Sequence, residues 1–245
     1  EDSQHFLQHL YRSDIRKYLN NYKDTFSCAE LLNIANVVSL DLINRSSKKS
    51  KEFGICLRAQ MDLDQEDRKH TNYNQLFTDI LTALTFLEAF RLVHLDIREN
   101  NILKYNSGYK LTDFGFCVPD GNKSSIYPLP EKHFHSAPEL FSNNATISHK
   151  ADIWSFALAF LFHSLSDEQY NWLVNKLIPL HKKTRSNSLN IQFYHQQWKK
   201  SLGNLLLNQV KRIDPKLKSI ILLMLEPFPL RRISASQIKA LLDNN

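Results

Sequence analysis

Apolar positions keep two rhythms along this chain. Between residues 4 and 24, Phe6, Leu7, Leu10, Tyr11, Ile15, Tyr18 and Leu19 recur on a roughly 3.6-residue spacing, which predicts a helix. Short apolar runs follow: Val37 to Ile43 and Ile55 to Met61 read as strands, separated by a basic polar loop from Arg45 to Lys51. Residues 62–72 are charged and polar and read as a linker. A helical stripe returns with Leu76, Ile80, Leu81, Leu84, Leu87 and Phe90, and delivers the chain into Leu92-Val93-His94. Ile102 to Tyr105 and Tyr109 to Thr112, separated by Asn106-Ser107-Gly108, carry a hairpin signal. From residue 150 the pattern is helical, over 152–165, 167–180, 193–212, 215–225 and 236–243. Ser234 and Gln237 fit a capping box opening the last helix. Strands first and helices afterwards predict an α+β fold, with a small mixed lobe on a large helical one.

Composition narrows the class. The 245 residues are 42% hydrophobic and 23% charged, enough apolar material for a real core and too little charge for wholesale disorder. Cys28, Cys56 and Cys117 are odd in number and far apart, which fits a reducing, intracellular setting rather than a disulfide framework. The longest apolar run, Phe156 to Phe162, is too short to span a bilayer, and the first residues carry no signal-peptide pattern, so no membrane role is expected. A net charge of +6 favours acidic partners, although an ordinary basic surface explains it as well. The five glycines are Gly54, Gly108, Gly115, Gly121 and Gly203, and no two make a G-x-G loop.

The chemistry concentrates in His94-Leu95-Asp96-Ile97-Arg98-Glu99-Asn100-Asn101, followed by Asp113-Phe114-Gly115. Behind these come Ala137-Pro138-Glu139, Asp152-Ile153-Trp154-Ser155 and Arg232, in that order. Each motif alone is common, but their order and separation, with a hairpin between the first two, make a strong joint signal. The chain resembles the eukaryotic-type protein kinase superfamily from about Val37 to Leu242. The resemblance implies a divergent kinase-like fold. Residues 1–61 would be a partial or divergent small lobe, 62–72 a hinge, and 73–245 a large lobe carrying the catalytic loop and activation segment. It also implies ATP and Mg²⁺ as cofactors and a protein substrate, more often serine/threonine-directed.

By the same resemblance, Asp96 is the carboxylate that orients the acceptor hydroxyl, and Arg98 takes the place of a lysine that touches the transferring phosphate. Asn101 and Asp113 are the metal ligands and face the nucleotide phosphates. Ala59, Gln60 and Met61 fall at the adenine-binding hinge, with Ala59 near the gatekeeper. Asp152 braces the catalytic loop, His94 and Phe114 belong to the packed column between the lobes, and Arg232 pairs with Glu139.

Departures keep a second reading open. Leu95 stands where the family has an arginine that receives an activation-loop phosphate, a histidine-leucine-aspartate variant also found in Wee/Myt-type kinases. Lys132 stands where a threonine is usual beside the catalytic aspartate. No glycine-rich loop or Val-Ala-Ile-Lys-like run is visible, and Glu30 is the nearest candidate for the helix glutamate. The function expected is therefore protein phosphorylation, and the alternative is a pseudokinase serving as a binding or scaffold module. Two weaker readings are a nucleic-acid surface and a metal site. The first rests on Lys182, Lys183, Arg185, Lys199, Lys200, Lys211 and Arg212 interleaved with Phe193, Tyr194 and Trp198, for which a solvated helical face is the plainer explanation. The second rests on His133 and His135, which lack further ligands in sequence.

Overall fold

The computed structural model describes residues 61–63, 66, 68–105, 108–123, 134–142, 144–184, 191–208 and 210–243. The helix expected at 4–24, the strand at 37–43, and Ala59, Gln60, Glu30, Lys132 and His133 lie outside them.

Helix α1 runs over Tyr73–Ala89, starting where the Asn72 side chain accepts the Gln75 N–H at 3.1 Å. Its buried stripe, Tyr73, Leu76, Phe77, Ile80, Leu81, Leu84 and Leu87, matches the periodicity of the sequence. Helix α2, Lys150–Ser164, is buried from Ala151 to Ser164, as expected of a helix that is apolar nearly all round. The two meet through aromatic rings. Phe77 lies 5.5 Å from Phe156 and 5.3 Å from Phe160, and Tyr73 packs edge-on to Phe160 at 5.8 Å. Truncating Phe160 to alanine would cost about 3–5 kcal/mol by emptying this junction.

The remaining helices cover the same core: α3 (Asp167–Thr184), α4 (Ile191–Asn208), α5 (Pro215–Met224) and α6 (Ala235–Asp243). Helix α4 stops short of the expected residue 212. Asp214 caps α5 through the Lys216 N–H at 2.7 Å with Pro215 in the first turn, so the chain turns before it. The capping box at α6 is complete. Gln237 accepts the Ser234 N–H at 2.9 Å, and the Ser234 hydroxyl accepts the Gln237 N–H at 3.2 Å.

Two small sheets frame the segment between α1 and α2. In the first the strand order is β1-β3-β4, with β1 at Met61–Asp62, β3 at Ile102–Tyr105 and β4 at Gly108–Leu111. Met61 pairs with Lys104 and Asp62 with Leu103, so the linker residues are stitched to the hairpin next to Asn101. The hairpin begins its second strand at Gly108, one residue earlier than the pattern suggested, with φ +130°. The reason is local: Asp79 on α1 accepts the Tyr109 N–H at 2.9 Å, and a side chain at 108 would collide with that carboxylate. Glu66 is buried beside it, bound by Lys104 and by the Tyr109 hydroxyl. In the second sheet β2 (Leu92–Val93) pairs antiparallel with β5 (Val118–Pro119). This pairing brings together the residues that follow β2 and those that precede β5, namely His94–Asn101 and Asp113–Phe116.

Candidate functional site

The loop after β2 is held from below by one carboxylate. Asp152, in the first turn of α2, accepts the His94 N–H at 2.6 Å and the Leu95 N–H at 2.9 Å. Burial pushes its carboxyl up to about 7, against the downward pull of these two bonds. Two non-glycine residues adopt left-handed backbone here, Leu95 at φ +70° and Asp113 at φ +58°. Such geometry costs about 1–2 kcal/mol per residue and persists only where surrounding contacts impose it. For Leu95 the contacts are the Asp152 bond and burial of its side chain in the core.

His94 is fully enclosed, and burial lowers its pKa, so the ring is neutral. Its partners assign the tautomer. Nε2 lies 2.8 Å from the Thr112 carbonyl, which only accepts, while Nδ1 accepts the Asp96 N–H at 3.2 Å. The ring also stands edge-on to Phe114 at 4.6 Å, joining the Asp96 loop to the Asp113-Phe114-Gly115 turn.

Asp96 sits at the mouth of this loop and is only 6% exposed. The Asn101 amide nitrogen donates to the Asp96 carbonyl at 2.7 Å and to its Oδ2 at 2.8 Å. Arg98 reaches the same Oδ2 at 3.4 Å. Both contacts use Oδ2, and neither engages Oδ1. Asp113 follows β4, with an exposed side chain.

A second anchor lies downstream. Arg232, with a side chain 0% exposed, forks onto Glu139 at 2.8 and 2.9 Å. It also donates to the Lys150 carbonyl at 2.7 Å and lies 5.1 Å over the Trp154 ring. This ties Ala137-Pro138-Glu139 to the start of α2.

The protein kinase domain family matches residues 20–241. The chain belongs to the protein kinase family. It is 29% identical over 148 residues to maternal embryonic leucine zipper kinase of Danio rerio, covering 57% of this chain and 20% of that protein. It is 36% identical over 91 residues to the dual serine/threonine and tyrosine protein kinase of Homo sapiens, covering 36% of this chain and 9% of the relative. The chain thus spans a fifth or less of the length of these relatives.

For a protein kinase domain the donor chemistry suits Mg²⁺. Asn101 and Asp113 bring an amide oxygen and a carboxylate, hard ligands of the kind Mg²⁺ takes together with phosphate oxygens and water. The fit rests on an observed commitment: the Asn101 nitrogen is spent on Asp96, so its carbonyl oxygen is the end available to a cation. Of the three hinge candidates, Met61 is placed in β1 and Ala59 and Gln60 lie outside the described residues.

The structure also brings together groups that were not paired from sequence. His135 Nε2 lies 2.9 Å from Glu99 Oε2. Among the described residues no group of three or more histidine, cysteine, aspartate or glutamate side chains is placed to hold a metal ion. His149 stands between Asp120 at 3.1 Å and Glu88 at 3.5 Å. These contacts join distant residues, and no local pattern announces them. Trp198 is buried 5.9 Å from Trp154, and Lys199 pairs with Glu226 at 2.7 Å, so both serve the core and its rim rather than a stacking surface for bases. Cys117 is buried and forms no disulfide, and no described helix is long and apolar enough to cross a membrane.

Proposed function

We propose that this domain transfers the ATP γ-phosphate to serine or threonine hydroxyls of protein substrates. The observation that carries this reading is the coupled geometry of Asp96, Arg98 and Asn101: a carboxylate whose Oδ2 is held by an amide and a guanidinium, with Oδ1 engaged by neither. Asp96 Oδ1 accepts the hydrogen bond of the substrate hydroxyl and takes its proton late in transfer. Arg98 adds positive charge beside the carboxylate, where negative charge must be offset during transfer. Asn101 and Asp113 are the residues that would hold Mg²⁺, and bound Mg²⁺·ATP supplies the phosphoryl group and neutralises its charge. The name of one similar protein, the dual serine/threonine and tyrosine protein kinase, supports serine/threonine direction, and it names tyrosine as well.

The second reading, a kinase-fold scaffold, is favoured by one feature of the sequence: no two of its five glycines form a G-x-G phosphate cradle. Ligand-dependent stability separates the two. Mg²⁺·ATP at about 100 times its dissociation constant should stabilise the domain by about 2.7 kcal/mol, read as a rise in Tm. Asp113→Asn should abolish the Mg²⁺-dependent part of that rise. An unchanged Tm at millimolar Mg²⁺·ATP would favour the scaffold.

A further inference from the structure

We propose that Glu99 and His135 form a positioning pair that sets residues 134–136 against the catalytic loop, so that an acceptor protein chain meets Asp96 in one register. The inference rests on the phosphotransfer reading above and names a part of the chain that governs the protein substrate rather than the nucleotide.

The geometry begins at Arg98, whose backbone is extended at φ −159° and ψ 170°. Neighbouring side chains on extended backbone point to opposite sides. Arg98 turns back to Asp96 at 3.4 Å, and Glu99 turns outward to His135 at 2.9 Å. The two side chains of that outward pair are largely shielded from solvent, at 13% and 17% exposure. The His135 nitrogen lies close to the Glu99 oxygen without the alignment of a directed hydrogen bond, so the pair is a close polar contact.

His135 is held at two further points. Its ring stands edge-on to Phe162 of α2 at 5.1 Å, and its carbonyl accepts the Ser155 hydroxyl at 2.8 Å. Two residues later the chain enters Ala137-Pro138-Glu139, where Arg232 grips Glu139. Residues 135–139 are therefore fixed at both ends, by Arg232 to the body of the lobe and by Glu99 to the loop that carries Asp96. Glu99 is the only side chain named in these contacts that also belongs to the Asp96 loop. The pair thus transmits the placement of residues 134–136 to the approach to Asp96 Oδ1.

Three variants of the full-length protein test this. His135→Phe keeps an aromatic ring against Phe162 and removes the polar contact. Glu99→Gln removes the charge from the other side. The reciprocal exchange, Glu99→His with His135→Glu, restores the pair in reverse. Transfer of radiolabelled phosphate to dephosphorylated casein should show KM for casein raised about five- to tenfold in each single variant, with KM for ATP unchanged. The variant carrying both His135→Phe and Glu99→Gln should be no worse than either single one, and the reciprocal exchange should return KM to within about twofold of wild type. Unchanged casein KM in the single variants, or no recovery in the exchange, overturns the proposal.

If the wild-type protein transfers no phosphate, the function proposed above fails on its own, and amide hydrogen exchange decides the pair separately. Both single variants should then accelerate exchange over residues 134–141 by about five- to tenfold. Exchange at wild-type rates would remove the pair as a positioning device.

Discussion

Asn101 folds back onto Asp96, its amide nitrogen 2.7 Å from the Asp96 carbonyl and 2.8 Å from its carboxylate. One side chain thereby closes the loop between them, holds the Asp96 carboxylate in place and leaves its own oxygen out of both bonds. The two residues depend on each other for position as well as for chemistry.

Asn101→Asp tests that dependence. The substitution is nearly isosteric, but it removes both donated bonds and sets a second carboxylate against the first. Phosphate transfer should fall by at least about 100-fold, as expected when a positioned acid–base group is lost. The domain should also unfold at a lower urea midpoint, by about 1–3 kcal/mol. Near-wild-type turnover in this variant would break the link between the observed geometry and the reaction.

Asp152 carries the backbone of the loop. Asp152→Ala would leave the His94 and Leu95 N–H groups buried and without their acceptor. Each orphaned donor costs about 1–3 kcal/mol, so a loss of roughly 2–6 kcal/mol is expected in urea unfolding. Leu95 would also lose the bond that holds it in left-handed backbone, so local hydrogen exchange around residues 94–96 should speed up before the core opens. Equal slowing or speeding across the whole domain would contradict this order.

Arg232 and Glu139 form a buried pair whose disruption leaves an uncompensated charge. Arg232→Met should cost about 3–5 kcal/mol, measured by chemical denaturation. Arg232→Lys should recover only part of this, because an ammonium cannot match the two parallel bonds of the guanidinium fork. Arg232→Met combined with Glu139→Gln should be less harmful than the sum of the two.

His94 gives a pH signature of fixed sign. Its pKa is lowered in the folded protein, chiefly by burial, so the unfolded chain binds the proton more readily. Its contribution to stability is whole above the ordinary histidine pKa of about 6.5 and is lost as pH falls below it. His94→Gln lacks this proton uptake. The stability gap between wild type and variant should therefore narrow from pH 7.5 to pH 5, by thermal unfolding at each pH. A gap that widens on acidification would show that the ring is not buried in its neutral form.

Much of this was legible in the chain because the signals are local. The apolar stripe of α1 sits on one face of a single helix, and the Ser234–Gln237 cap spans one turn. The run from Phe156 to Phe162 is apolar throughout, and the structure buries α2 from Ala151 to Ser164. Asp96, Asn101 and Asp113 stood out because their spacing around a hairpin is itself a sequence pattern. The Glu99–His135, His149–Asp120 and Glu66–Tyr109 contacts were not visible, since each joins segments whose meeting depends on the whole packing arrangement. Small errors had small causes. The end of α4 was overrun because Lys211 and Arg212 continue a helical composition, whereas the Asp214-Pro215 start of α5 requires a turn. Gly108 was read as turn because glycine usually is one, whereas here it makes room for Asp79.

The central claim is that Asp96 receives the proton of a protein hydroxyl. The direct measurement is radiolabelled phosphate transfer from ATP by the full-length protein, wild type against Asp96→Asn, with Mg²⁺ present and then chelated. The account predicts transfer that needs Mg²⁺ and falls by about 100- to 10,000-fold in Asp96→Asn while Tm changes little. Transfer that is absent in the wild type, or equal in the variant, would contradict it.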